Sequence, residues 1–299
     1  MRCLLLLFLV AGTAFAAEPP VVERLKNEKV RATSAALTAP SKAKIIKDAG
    51  FNTVVTWSYF LQGCPVAPKK DAEPLYDPAA LPRSKAMRNE TRLAARDNMI
   101  SLPLLWFHKD TVPVMAQKNY RRAVTSEGRL CKVTPCPADR VYWEELVKPF
   151  FLYMAQLQKE EGASGGAAVD LEFYTGELTG GFTYGRGVDG CFCDDCFGGF
   201  LKRSKAAFDP AEFPLESRWE YLVKHGQYRD YLAYLAGRVT ERTAAIRGEV
   251  RAVKPDFVFA VMPGGEGWYF DGLARGFGLA NIPGMRRNVR TSRRNTPFP

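Results

Sequence analysis

Apolar residues along this chain fall into two alternating rhythms, regular enough to predict an architecture. Short runs rich in β-branched and aromatic residues read as strands: Phe51 to Trp57, Ile100 to Trp106, Ala167 to Tyr174 and Asp256 to Met262. Before each stands a segment of helical composition or spacing: Ser41 to Asp48, Ser84 to Asp97, Val141 to Glu161 and Glu216 to Val253. In the third of these, Leu146, Phe150, Tyr153, Met154 and Leu157 recur at the interval of one helix face. Gly50, the glycines between Gly162 and Gly166, and Pro255 separate helix from strand. Val30 to Leu37 predicts a strand earlier still.

Strands that alternate with helices imply parallel pairing through crossover connections. The long loops Leu61 to Arg83, Phe107 to Arg140 and Thr175 to Gly190 all follow strand C-termini. A barrel builds its working face from such loops. A doubly wound open sheet would show a Gly-rich phosphate turn after its first strand, and the sequence has none. The predicted fold class is therefore α/β, a (β/α)8 TIM-barrel-like domain. Only four or five strands precede residue 280, whereas a whole barrel takes about 250 residues. Asn281 to Pro299 is rich in Arg, Asn and Pro and carries no strand period. The expectation is a barrel incomplete at its C-terminus, truncated or with its natural ending replaced through a frameshift.

The first sixteen residues read as an export signal, with Arg2, the apolar run Leu4 to Val10 and the small-residue pattern Ala14-Phe15-Ala16. That run is short of the roughly 20 residues a membrane span needs, and no later segment comes close. The predicted division is a signal over 1–16, a barrel over 17–280 and a basic tail over 281–299, with a secreted or periplasmic product free of the membrane. The formal charge of +10 invites a nucleic-acid reading, but its distribution opposes one. Without Arg2 and the five arginines of the tail, residues 17–280 carry only +4. No basic groove results, and nucleic acid is not an expected partner.

Side chains alternate between faces along a strand. Val169, Leu171 and Phe173 therefore share one face of the third strand, and Ala168, Asp170, Glu172 and Tyr174 the other. The apolar face suits outer helices, which leaves two carboxylates for the barrel mouth. Like charges side by side in a partly dry site raise one pKa, as a general acid near neutral pH requires. The plainer reading is a salt bridge to a Lys or Arg of a neighbouring strand. Trp57, Trp106 and Tyr174 stand at strand ends, placed either to stack on sugar rings or to pack the rim, with His108 as a polar loop contact. Asn89-Glu90-Thr91 fits a glycosylation sequon.

The densest chemistry lies just downstream. Cys191-Phe192-Cys193-Asp194-Asp195-Cys196 puts three thiols in six residues, and Cys131 with Cys136-Pro137 precedes the acidic strand. Four thiolates in tetrahedral array would close a structural zinc site. Disulfides compete, because six of the seven cysteines remain after signal cleavage and export favours oxidation. Cys64 and Cys131 could bridge. A redox-active Cys193-x-x-Cys196 is a third reading.

The acidic strand, the cysteine trio and the upstream Cys-Pro together resemble the clan A (β/α)8 glycoside hydrolases, above all the family 42 β-galactosidases. The resemblance spans roughly residues 40–275 and is motif-level over 128–200. It implies that Glu172 is the acid/base and that Cys136, Cys191, Cys193 and Cys196 hold zinc. It also implies a carbohydrate substrate. Three features depart from the family. Leu171 stands where the family has Asn, the strand carrying the nucleophilic Glu is missing, and the family is usually intracellular. Asp170 and Glu172 also resemble the Asp-x-Glu strand of chitinase-type enzymes, in which the substrate's own acetamido group attacks. The expected activity is exported glycoside hydrolysis with Glu172 as general acid/base and Asp170 as its partner; the alternative is a non-catalytic carbohydrate-binding barrel. The sequence does not indicate an oligomeric state.

Overall fold

The computed structural model describes residues 21, 24, 32–34, 37, 39–58, 84–106, 120–170, 190–205, 207–262 and 268–278. Its strands are β1 (Ala32–Ser34), β2 (Thr53–Val55), β3 (Trp57–Ser58), β4 (Ile100–Ser101), β5 (Leu104–Trp106), β6 (Arg122–Val124), β7 (Leu130–Pro135), β8 (Gly166–Asp170) and β9 (Val258–Met262). Between them run α1 (Pro40–Asp48), α2 (Ser84–Arg96), α3 (Lys148–Glu160), α4 (Asp194–Arg203), α5 (Arg218–Lys224) and α6 (Tyr228–Val253), with α7 (Trp268–Phe277) last.

All strands except the β6–β7 hairpin pair in parallel and in chain order. Ala32 lies opposite Thr53, Thr53 opposite Ile100, Trp57 opposite Leu104, Leu104 opposite Ala168, and Ala168 opposite Ala260. β2 with β3, and β4 with β5, are the halves of two single staves. Leu102 N donates to Val54 O and Leu104 N to Thr56 O, so the ladder continues past Pro103, which lacks a donor. Five successive staves of a (β/α) sheet result, each but the first reached through a helix. The strand predicted at residues 30–37 is among them.

The period of two sorts the core. Val55, Ile100, Leu102, Val258 and Ala260 pack together on the inner face. Ala167, Val169, Phe257 and Phe259 belong to the large cluster beneath the helices, and Val54 packs with Ala43, Leu93 and Ala94 of α1 and α2. Three helices end on one device. After α1, α2 and α3, the residues Gly50, Asn98 and Gly162 take φ of 84°, 51° and 64°. Paired bonds such as Phe51 N to Ile46 O and Gly50 N to Lys47 O form the Schellman cap that turns each helix into the next strand.

Gly165 and Gly166 serve a different purpose from the helix stop their sequence suggests. A side chain on Gly165 would strike Ser101 O of β4, and one on Gly166 would strike the Val258 carbonyl of β9. The pair lets β8 enter between two staves at close range.

Three predicted features are corrected. Glu216 to Val253 is not one helix: a 3₁₀ turn (Leu215–Ser217) leads into α5, and a Schellman cap at Gly226 (φ 66°) ends it before α6 begins. Phe107 to Arg140 is not all loop, since it contains the β6–β7 hairpin, turning at Gly128 with φ 76°. The sequon lies within α2 with Thr91 only 1% exposed, which is no surface loop. The sequence reading also passed over α7, whose Gly272 and Gly276 bring its backbone against α6: a Cβ on Gly272 would lie 2.7 Å from Ala236 O. Along α5 and α6, Tyr231, Tyr234 and Leu235 are buried, and Trp219, Tyr221 and Tyr228 are half-buried. Among the described residues, no helix is long and apolar enough to cross a membrane.

Candidate metal centre and the acidic strand

The Cys136-Pro137-Ala138-Asp139 segment closes the hairpin and starts the next helix. Cys136 N donates to Arg121 O at 2.7 Å, and Cys136 O accepts from Asp139 N at 3.0 Å. The Asp139 carboxylate then accepts from Val141 N and Tyr142 N at 3.3 Å each, and from Arg121 N at 3.2 Å. An N-cap of this kind contributes about 1 kcal/mol. Trp143, fully buried, donates from Nε1 to Pro137 O at 3.0 Å and opens a π-helical stretch (Trp143–Val147) that runs into α3. The proline carbonyl is thereby fixed, and Cys136 with it.

The other three cysteines surround the start of α4. Cys193 is its N-cap, Cys196 lies in its first turn, and Cys191 stands two residues before the N-cap, at the start of the knuckle that leads into the helix. Phe192 N donates to Val124 O at 2.9 Å, which pins this segment to β6. Arg121 forms an ion pair with Asp195 across the same junction.

These elements bring four sulfurs together. Cys136 Sγ lies 3.6 Å from Cys193 Sγ and 3.5 Å from Cys196 Sγ, and all four Sγ atoms lie within 4.8 Å of one another. All four are buried thiols with no disulfide among them. Sulfurs at the corners of a tetrahedron of 2.3 Å metal bonds would lie about 3.8 Å apart, so the spacing and the all-sulfur donor set fit zinc or a similar thiophilic ion. Without an ion the cluster shares its protons: hydrogen bonds from Cys136, Cys191 and Cys196 hold the Cys193 thiol well below its ordinary value. Hydrogen bonding to Cys191 and Cys193 pushes Cys136 up, and neighbouring thiols with Cys136 foremost push Cys196 up. Four charged sulfurs at this range require a cation. A closed four-sulfur site leaves no open position for a substrate.

The acidic strand ends its described course at Asp170. The register places Trp106, Asp170 and Met262 in one row, one step beyond the row of Leu104, Ala168 and Ala260. The Asp170 row lies at the C-terminal edge of the sheet. Trp57 opens β3 and Trp106 closes β5. Glu172, Tyr174 and His108 lie outside the described residues, as do Cys64, Glu177 and Glu266. The structure thus gathers the four cysteines and fixes the stave that leads to Glu172.

Two residues of this region carried no local signal in the sequence. Arg218 is only 1% exposed and donates to Phe192 O at 2.6 Å, Phe213 O at 3.0 Å and Asp194 Oδ1 at 2.5 Å. Its guanidinium also faces the rings of Phe197 and Phe208, each 5.4 Å away. Tyr231, fully buried, donates its hydroxyl to Cys191 O; burial, foremost, pushes its pKa up, so it remains a donor.

No family model matches the sequence, and no curated protein matches it. Among solved structures, the chain is similar to the catalytic domain of a β-amylase from Paenibacillus polymyxa, with 9% identity and a TM-score of 0.50 over 77% of this chain and 64% of that one. It is also similar to a β-galactosidase from the Antarctic haloarchaeon Halorubrum lacusprofundi, with 11% identity and a TM-score of 0.49 over 78% of this chain and 36% of that one. A β-galactosidase from the psychrophile Marinomonas ef1 matches at 8% identity and a TM-score of 0.49, over 77% and 36% of the two chains. The chain therefore spans less than two thirds of each of these proteins. At such identity a likeness concerns the fold and not the activity. Together with the ordered parallel strands, the β-amylase likeness identifies an α/β fold of the TIM-barrel kind.

Proposed function

We propose that this chain is an exported glycoside-hydrolase-like barrel protein that acts on a carbohydrate, with Glu172 as general acid/base. The observation that carries the reading is the register of β8, which brings Asp170 to the C-terminal edge of five ordered staves. Active sites of barrels of this class lie at that edge. In the sequence Glu172 stands two residues beyond Asp170, the interval at which a strand repeats a face. Its carboxyl protonates the glycosidic oxygen as the bond to the leaving sugar breaks. Asp170, two residues earlier, is its partner in this step. Trp57, Trp106 and Tyr174 provide apolar surfaces for sugar rings, and His108 a polar contact beside them.

In this reading Cys136, Cys191, Cys193 and Cys196 hold a structural metal ion, zinc by donor type, which clips the β6–β7 hairpin to α4. The separation of the buried sulfurs supports a metal over disulfides. The segment at residues 1–16 directs export, so the ion is loaded before or during exposure to oxidant.

A second reading is a barrel in which no nucleophilic carboxylate faces the acidic strand. Without a second acid the barrel would bind sugars without cleaving them. One experiment separates the two. Purified protein is assayed on a panel of aryl glycosides and, in parallel, for retention on the corresponding immobilised sugars. Turnover that falls by about 10²–10⁴-fold in Glu172→Gln is the expected result. Sugar binding without turnover supports the second reading, and an equally active Glu172→Gln refutes the assignment of the acid.

A further inference from the structure

Of the buried polar groups outside the cysteines, Arg218 and Tyr231 are aimed at the segment that carries three of the four sulfurs. A fully buried guanidinium is costly unless its donors are used. Here they are used on the knuckle. One donor reaches the carbonyl of Phe192, between Cys191 and Cys193, and another reaches Asp194, the first residue of α4. The third meets Phe213 O, and the flat faces of Phe197 and Phe208 cover the plane of the group. Tyr231 takes the carbonyl of Cys191. The third carbonyl, of Cys193, accepts from Phe197 N at 2.9 Å within the helix.

Each peptide carbonyl from Cys191 to Cys193 therefore has an assigned donor, and two of those donors come from the distant segments α5 and α6. Peptide planarity transmits that constraint, since fixing a carbonyl fixes the plane that sets the next residue's direction. The donors come from parts of the chain that contribute no thiol.

We infer that Arg218 and Tyr231 form a carbonyl clamp that presets the Cys191–Cys193 knuckle for metal and governs how long the ion stays bound. This rests on the metal reading above and extends it to positioning residues that do not touch the ion. Outer groups that orient ligands in this way affect metal affinity by about 10–100-fold. Arg218 acts through two carbonyls and a carboxylate, so lysine, with one compact head, does not replace it.

The test is the rate at which excess chelator removes zinc from the purified full-length protein, read by a colorimetric metal indicator. Arg218→Met preserves bulk and removes every donor; it is expected to release the ion about 10–100-fold faster. Tyr231→Phe removes a single hydrogen bond with little change in shape and is expected to move the rate in the same direction by less. Cobalt-loaded samples provide a readout of geometry, and the sulfur-to-metal absorption of Arg218→Met should shift from that of wild type. Leu93→Ala, in a core cluster separate from the one that contains the four cysteines, controls for general loss of stability. Release as fast in Leu93→Ala as in Arg218→Met would overturn the clamp, as would rates for both clamp variants within about twofold of wild type. If Arg218→Met does not fold, Tyr231→Phe decides by the same criterion. Wild-type protein that binds no zinc would refute the metal reading itself, whereas wild-type zinc with unchanged release rates refutes only the clamp.

Discussion

Cys136→Ala is expected to release the proposed metal ion and to unfold the region around α4 and α5, with the largest stability loss of any single change in the described chain. The Phe192 N–Val124 O bond and the Arg121–Asp195 ion pair also join the hairpin to the start of α4. That pair is substantially exposed, and such pairs contribute at most about 1 kcal/mol. A structural four-thiolate zinc site contributes binding energy of order 10 kcal/mol, which becomes folding energy wherever the unfolded chain lacks the site. Removing one ligand also leaves three thiols crowded in a buried space. The check is zinc content together with thermal unfolding of wild type, Cys136→Ala and chelator-treated wild type. The two metal-free samples should agree, with unfolding shifted down by well over 10 °C on the usual scale of several degrees per kcal/mol. The pH response has a definite sign. Metal-bound thiolates hold fewer protons than the thiols of the unfolded chain, so the stabilisation is present at neutral pH and is lost on acidification. Unchanged zinc content in Cys136→Ala would remove that residue from the ligand set.

Gly166→Val should be the second most damaging substitution, through an unrelated mechanism. A Cβ at this position meets the backbone of Val258, and backbone cannot rotate away as the end of a side chain can. β8 would have to separate from β9 at the point where the two pair in parallel register, Gly166 opposite Val258. Gln158, fully buried in α3, donates to Gly166 O at 2.7 Å and to Ser101 O at 3.3 Å, so the same shift disturbs a buried polar bridge. A loss of about 4–5 kcal/mol is expected, at the upper end for single substitutions. Denaturant unfolding measures it. Gly162→Ala is the comparison, because Gly162 has no neighbour within 4 Å of the added carbon and loses only its left-handed backbone preference. Similar losses for the two would show that close strand approach is not what Gly166 provides.

The clip has a consequence for function that does not depend on the ion taking part in chemistry. Asp170 closes the described part of β8, and the knuckle begins at Gly190, so the segment with Glu172 and Tyr174 is bounded by a packed stave and by the cysteine cluster. Metal loss would release one of those boundaries while leaving the sheet register intact. Activity on aryl glycosides that falls together with zinc content, with the strand-rich core still folded, is the pattern this arrangement leads to.

Much of the architecture was written in local sequence. The period of two in Thr53 to Val55 and Val258 to Met262 sorts inner from outer residues because a strand has no other way to present them. Gly50, Asn98 and Gly162 end helices because a left-handed residue is cheap for glycine and tolerable for asparagine. The Cys-x-Cys-x-x-Cys spacing marks its own site, since a helix N-terminus places positions 193 and 196 one turn apart. Cys136 could be matched to them only through its resemblance to a known motif, because nothing local links residues sixty apart. Other features were invisible for the same reason. That Gly165 and Gly166 admit neighbouring strands, that Gly272 and Gly276 admit α6, and that Arg218 and Tyr231 point at the knuckle are facts of where distant segments meet. Sequence alone thus determined the alternation of strand and helix, the stops and the chemical kind of each cluster, because those depend on neighbours a few residues away. The assembly of four thiols into one buried site, the close approach of the staves and the donors behind the cysteines were decided only by tertiary packing, which brings together groups whose separation along the chain carries no signal.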